Sequence, residues 1–157
     1  AHRVVDHHPR LRTEAAVSAI RPGGGGSGGG GGSSSGPAVV PLAGYAAIDA
    51  TTSPAAAPIG VGGSPVAVDP AVFTGATWTF CVTGYVSSGR TGTVTLYDVT
   101  AGATAATIYV TATTQTAYTA SVTTPGTARV YRVLFGVDGT LAAHTATLDG
   151  AALKIGS

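Results

Sequence analysis

From Val66 onward, apolar and polar side chains alternate with a period of two residues. The segment Thr77–Val86 shows this most clearly, with Trp78, Phe80 and Val82 in one phase and mostly threonine in the other. Successive side chains of a β-strand point to opposite faces of its sheet. The alternation therefore predicts a strand with one buried face and one open face.

The same alternation returns in shorter segments. The further predicted strands lie around residues 93–97, 107–111, 118–122, 130–137, 146–148 and 153–155. Residues 130–137 are apolar in both phases, which predicts a central strand. The predicted turns are Ser87–Gly89, Ala101–Gly102, Thr124–Gly126, Asp138–Gly139 and Asp149–Gly150. About seven or eight short strands at this spacing predict an all-β fold, an antiparallel β-sandwich or jelly roll.

A run of glycine and serine precedes this region. Residues 23–36 comprise ten Gly and four Ser, and neither side chain buries enough apolar surface to build a core. The run is therefore interpreted as a spacer. It divides the chain into a basic arm (1–22), the spacer (23–36), a strap rich in proline and alanine (37–65) and the sandwich domain (66–157).

Prolines shape the strap. Because proline lacks a backbone N–H, it is restricted to edge strands and strand ends. We expect only short edge strands there, around Val39–Val40 and Tyr45–Ile48. The strap contains Pro37, Pro41, Pro54, Pro58 and Pro65.

Charge is scarce in the chain. Asp, Glu, Lys and Arg together make up 10% of the residues, and Lys154 is the one lysine. Lysine commonly protects the exposed edge strands of β-sheets from pairing with other chains. Its scarcity predicts that other copies or a partner cover these edges, and a homotrimer is the expected oligomer.

The arm carries most of the basic character. Its four arginines and two acidic residues give a net charge of +2, whereas residues 23–157 have a net charge of −1. Four arginines are too few to predict nucleic-acid binding. They are sufficient to attach the arm to an acidic or carbonyl-rich protein surface. The predicted attachment residues are Arg3, His7, His8, Arg10, Arg12 and Arg21.

Few residues support any chemistry. The glycine run lacks the flanking strand and helix of a dinucleotide site. His144 lacks a nucleophile motif, and Glu14 is the one glutamate, so paired catalytic acids are not expected. Cys81 is alone and is expected to be a buried, inert thiol. We predict no enzymatic activity, no cofactor and no metal site. No apolar stretch approaches a membrane span or a secretory signal, so no membrane association is expected.

Aromatic residues offer one alternative. Trp78 shares the apolar phase with Phe80, which predicts a position in the core. Tyr85, Tyr97 and Tyr109 fall in the threonine-rich phase and are expected to share one open face. They are the candidate residues for a glycan-binding face.

The stretch Thr77–Thr100 resembles the small β-sandwich modules of tailed-bacteriophage structural proteins, and Arg129–Val133 fits the same pattern. The order of basic arm, glycine-rich spacer and sandwich is similar to phage head fibres, decoration proteins and tail accessory proteins. The resemblance implies a non-enzymatic virion protein, attached by its arm to a capsid, neck or tail protein and assembled in the host cytoplasm. The alternative is a carbohydrate-binding module or adhesin that recognises a host-surface glycan.

Overall fold

The computed structural model describes residues 37–51, 59–60 and 65–156. These residues form strands in antiparallel pairs and one short 3₁₀ helix at Pro70–Phe73. The strands are Ala38–Ala43 (β1), Ala46–Asp49 (β2), Ile59–Gly60 (β3), Val66–Val68 (β4), Trp78–Val86 (β5), Gly92–Asp98 (β6), Ala103–Val110 (β7), Thr116–Val122 (β8), Arg129–Val137 (β9) and Thr145–Ile155 (β10).

The strands form two five-stranded sheets. In sheet A the order is β1–β10–β5–β8, and β2 pairs with β10 beyond the end of β1. In sheet B the order is β3–β9–β6–β7, and β4 also pairs with β9. The predicted antiparallel β-sandwich is confirmed. The central position predicted for residues 130–137 is also confirmed, because β9 has neighbours on both sides.

The core lies between the inner faces of the sheets. Trp78 of sheet A is 2% exposed, and its ring meets Tyr131 of sheet B edge-on, with the ring centroids 6.4 Å apart. The prediction that Trp78 is a core residue is confirmed. The remaining large, fully buried side chains are Phe80, Phe135, Leu96, Leu148, Leu153, Ile155, Val82, Val86, Val94 and Val110.

Strand β10 corrects one predicted turn. Asp149–Gly150 lies within the strand, where the pairing with β5 shifts between Leu148 and Gly150. Such a shift is a β-bulge, which inserts one extra residue and reverses the phase of the alternation. The buried apolar residues are therefore even-numbered before the bulge, at Ala146 and Leu148, and odd-numbered after it, at Ala151, Leu153 and Ile155.

Close backbone packing accompanies the bulge. Gly84 of β5 pairs with Leu148, and a Cβ atom at Gly84 would lie 2.5 Å from the carbonyl oxygen of Thr147. Only glycine fits at this separation without a backbone shift. The close approach of β5 and β10 thus depends on glycine at position 84.

Two aspartates at strand ends accept backbone hydrogen bonds, Asp98 within the turn that follows it and Asp138 from the loop before β6. Asp98 Oδ1 accepts a hydrogen bond of 2.8 Å from the Ala101 N–H, and Asp138 Oδ1 accepts one of 2.7 Å from the Thr91 N–H. The turn after Asp98 contains Gly102, with φ of +65°, a conformation that glycine adopts without strain.

The outer strands of the described sheets lack protective charge. Strands β1, β7 and β8 contain no charged residue. Pro41 interrupts the edge formed by β1, whereas β7 and β8 contain no proline. Among the described residues, β7 and β8 therefore form open edges without lysine, proline or acidic side chains.

The proposed division into arm, spacer, strap and sandwich stays a prediction. Residues 1–36 lie outside the described residues. Within the strap, β1 and β2 lie where short strands were expected, and both pair with β10.

Candidate functional site

The outer face of sheet B carries two of the three candidate tyrosines. Tyr109 of β7 pairs with Thr93 of β6 and is 63% exposed. Tyr97 lies four residues further along β6, and the Arg132 guanidinium carbon is 5.3 Å from the centroid of its ring. This arrangement is a cation–π contact that holds the Tyr97 ring in place. The face thus presents one free and one arginine-covered aromatic ring.

Tyr85 does not share this face. It lies on β5 opposite Thr147, on the outer face of sheet A, and is 37% exposed. The prediction that Tyr85, Tyr97 and Tyr109 share one face is wrong for Tyr85. Alternation specifies the inner and outer phase of each strand, but it does not specify to which sheet a strand belongs.

The outer face of sheet A carries mostly small side chains, with Tyr85 and Lys154 as the larger ones, and a groove of about 440 Å³. The groove lies across β1, β10 and β5 and extends to the loop before β8. It is lined by Val39, Pro41, Ala43, Cys81, Thr83, Gln115, Asp149, Gly150, Ala151 and Ala152. No positively charged residue is among the described residues that line it.

Cys81 occupies this groove. The prediction of a buried thiol is wrong, because Cys81 lies in the outward phase of β5 and is half-buried. Its Sγ atom lies 3.8 Å from the Thr79 carbonyl oxygen. The groove therefore contains the single cysteine of the chain.

Asp98, Arg129 and Tyr131 cluster where β6 meets β9. Arg129 Nε lies 3.7 Å from Asp98 Oδ2, and Asp98 pairs with Tyr131 across the two strands. Burial raises the pKa of Tyr131 above its ordinary value, and the Asp98 carboxylate raises it further, while Arg129 acts in the opposite direction. The cluster is therefore one partly exposed ion pair beside a buried tyrosine, at the edge of the core.

His144 stabilises a turn. Its Nδ1 atom accepts hydrogen bonds from the N–H groups of Thr140, at 3.1 Å, and Leu141, at 3.3 Å. A nitrogen that accepts two backbone hydrogen bonds is engaged in the fold and is not positioned as a base toward solvent. No cluster of three or more His, Cys, Asp or Glu side chains that could hold a metal occurs among residues 37–51, 59–60 and 65–156.

The predicted attachment residues lie outside the described residues. These residues are Arg3, His7, His8, Arg10, Arg12 and Arg21. In the described part of the chain, no helix has the length and apolar character needed to cross a bilayer.

No protein-family model and no curated protein matches the chain. Among solved structures, it is similar to the CBM36-1 domain of a multidomain xylanase from the hindgut metagenome of Trinervitermes trinervoides, at 17% identity and a TM-score of 0.48, covering 77% of this chain and 97% of that one. It is also similar to infectious bursal disease virus Gt strain, at 14% identity and a TM-score of 0.45, covering 76% of this chain and 32% of that one. Neither similarity bears on function at these values.

Sequence reasoning missed the groove. The Asp149–Gly150 pair predicts a turn, and Gln115 belongs to no motif because it is isolated among small polar residues. The change from even-numbered to odd-numbered apolar residues between Leu148 and Ala151 could have revealed the bulge. An extra residue at that point places Asp149 in the sheet instead of a turn.

Proposed function

We propose that the chain is a non-enzymatic structural protein of a virion, attached through its N-terminal arm and displaying the β-sandwich. The observation that carries the proposal is the absence of charge on the open edge strands β7 and β8. Exposed strands of this kind pair readily with other chains unless an assembly covers them. The basic arm and glycine-rich spacer supply a means of attachment separate from the sandwich.

Immunogold electron microscopy tests the location. Antibodies raised against residues 66–157 would be applied to particles purified from producing cells. Regularly spaced labelling of virions is the expected result. Labelling of free protein or cell surfaces, with bare virions, would contradict the proposal.

The arm is tested separately. Replacing Arg10 and Arg12 together by alanine should prevent incorporation into particles, because paired guanidinium hydrogen bonds would be lost. A truncated chain of residues 37–157 should likewise be β-rich by circular dichroism and absent from particles. Wild-type occupancy of the double variant would place the attachment on the sandwich.

Association through the edges is tested in solution. Thr119 is exposed on β8, and Thr119→Lys introduces the charge that this edge lacks. If copies pair there, with a trimer as the expected oligomer, light scattering should show a lower mass for this variant. Ser88→Lys, in the exposed turn after β5, is the matched control and should leave the mass unchanged. A monomeric wild-type chain at high micromolar concentration would contradict self-association.

The second candidate function is glycan binding by sheet B. The specific observation is that Tyr109 is 63% exposed on the same face as the arginine-held Tyr97. Exposed aromatic rings bind the apolar faces of sugars. Calorimetry with cellohexaose, xylohexaose and maltohexaose would test this, with Tyr109→Ala expected to abolish binding. Tyr45→Ala removes an equally exposed tyrosine elsewhere and is the control. If none of the three sugars binds, the proposal of glycan binding by sheet B would be wrong.

A further inference from the structure

The groove on sheet A is built around the bulge in β10. Leu148 and Ala151 point into the core, at 0% and 5% exposure, and the two residues between them line the groove. One of these, Gly150, has no side chain, which leaves room beside the carboxylate of the other, Asp149. In a regular strand, a single residue between two inward-facing ones would point to the outer face. The bulge places two residues there, and one of them carries a carboxylate.

Asp149 differs from the other aspartates that the structure describes. Asp69 accepts a hydrogen bond from a backbone N–H within its own turn, and Asp49, Asp98 and Asp138 each accept one as well. The Asp149 side chain makes no hydrogen bond or ion pair with the described residues, and its Oδ2 atom is shielded from solvent. A partly desolvated carboxylate without a partner destabilises the folded state. A ligand that supplies positive charge would remove this penalty.

The walls of the groove define the rest of that ligand. Val39, Pro41 and Ala43 of β1 form an apolar side, and Val39 is 63% exposed. The apolar surface extends toward the carboxylate. Lys154 pairs with Val39 on the same face, but it does not line the groove and forms no ion pair with Asp149. Arginine and lysine combine an aliphatic stem with a cationic head group, and such stems pack on apolar surface while the head group stays polar.

We propose that this groove binds an arginine or lysine side chain of a partner protein, with the stem against β1 and the cationic group at Asp149. Charge complementarity carries the choice of ligand. The negative charge of the carboxylate is shared by both oxygens. A cation on the groove side therefore also offsets the cost of shielding Oδ2 from solvent. A glycan is a poorer fit, because no aromatic ring lines the groove. The site includes residues of the edge strand β1 but none of β7 or β8, and it does not depend on the proposed virion role.

The test is a titration of the full chain with Nα-acetyl-arginine amide, followed by NMR. Amide signals of Thr83, Gly150 and Ala152 should shift, and added salt should weaken the binding. Nα-acetyl-citrulline amide has nearly the same shape without the charge and should bind at least tenfold more weakly. Asp149→Asn should abolish the shifts. Asp69→Asn makes the same charge change on a different surface and should leave them intact.

Cys81 supplies a measurement that needs no substitution. It lies in the groove, so the arginine derivative should slow its alkylation by iodoacetamide in the wild-type chain, and the citrulline derivative should not. Equal protection by both compounds would overturn the proposal. Xylohexaose that shifted the same amide signals would also overturn it, in favour of a sugar site.

Thermal unfolding is the remaining measurement in this test. Asp149→Asn should raise the melting temperature of the free protein, because it removes an unpaired charge. A lower melting temperature would mean that the carboxylate already has a stabilising partner within the protein, and the proposal would then be wrong. Asp69→Asn again serves as the control.

Discussion

The two outer faces of the sandwich differ in chemistry although their strands alternate in the same way. The outer face of sheet B carries Arg132, Tyr97 and Tyr109. Arg132 lies over the Tyr97 ring, and the Tyr109 ring is exposed to solvent. The outer face of sheet A carries mostly small side chains and a groove with the unpaired carboxylate of Asp149. The first face presents an aromatic pair beside an arginine, and the second presents a groove in which no lining residue pairs with the carboxylate.

The inner faces, by contrast, are equivalent. Both sheets contribute large apolar residues to one core, and Trp78 and Tyr131 meet across it. The comparison shows that burial constrains the inner phase of every strand, whereas the outer phase is free to vary. Differences between the sheets should therefore appear in binding experiments, while shared features should appear in stability measurements.

The strongest test of the shared core is Trp78→Ala. Removal of this 2%-exposed side chain leaves a cavity between the sheets and should cost about 3–5 kcal/mol. Urea unfolding followed by circular dichroism measures the loss. Tyr109→Ala on the outer face should change stability by about 0.5 kcal/mol or less. Equal effects of the two variants would remove the distinction between inner and outer phases.

The next test concerns the close packing of β5 against β10 beside the bulge in sheet A. Gly84→Ala would place a Cβ atom 2.5 Å from the Thr147 carbonyl oxygen and should cost about 1–3 kcal/mol by forcing β5 from β10. Gly150→Ala is the control, since its Cβ would meet only the Ala43 carbonyl oxygen, at 3.8 Å. Thermal unfolding of both variants measures the difference, and a destabilised Gly150→Ala with an unaffected Gly84→Ala would contradict the described pairing.

A smaller effect is expected on sheet B. Arg132→Ala removes the cation over Tyr97, an exposed contact of about 0.5–1 kcal/mol. Arg132→Lys keeps the charge but not the planar group, and it should recover only part of the loss. Chemical denaturation can resolve these values. A loss above 2 kcal/mol would mean that Arg132 has a larger structural role than this stacking contact.

The smallest effect at neutral pH comes from Tyr131. Its pKa is raised in the folded state, chiefly by burial and further by Asp98, from an ordinary value of 10.0. The folded state therefore favours the protonated phenol, and the resulting stabilisation is complete below pH 10 and lost as pH rises above 10 toward the folded pKa. Tyr131→Phe should make stability less dependent on pH above 10. An unchanged alkaline slope in urea titrations would contradict this assignment.

The sequence predicted the fold better than the site. Alternation around Trp78 and in residues 130–137 correctly predicted the core and a central strand, because burial acts on each strand locally. Alternation wrongly predicts that Tyr85 shares a face with Tyr97 and Tyr109, because the sheet to which a strand belongs depends on long-range pairing. Asp-Gly favours a turn at Asp149, and the pairing of β10 with β5 overrides that local preference.

Strand β10 also determines when the sandwich can form during synthesis. Among the described residues, β1 and β2 find their strand partner only in β10, about a hundred residues further along the chain. Residues 38–49 thus leave the ribosome long before residues 145–155 exist, and their apolar side chains remain without a sheet in the meantime. Sheet A closes late, so the apolar side chains of β1 and β2 stay exposed to contacts with other chains through most of translation.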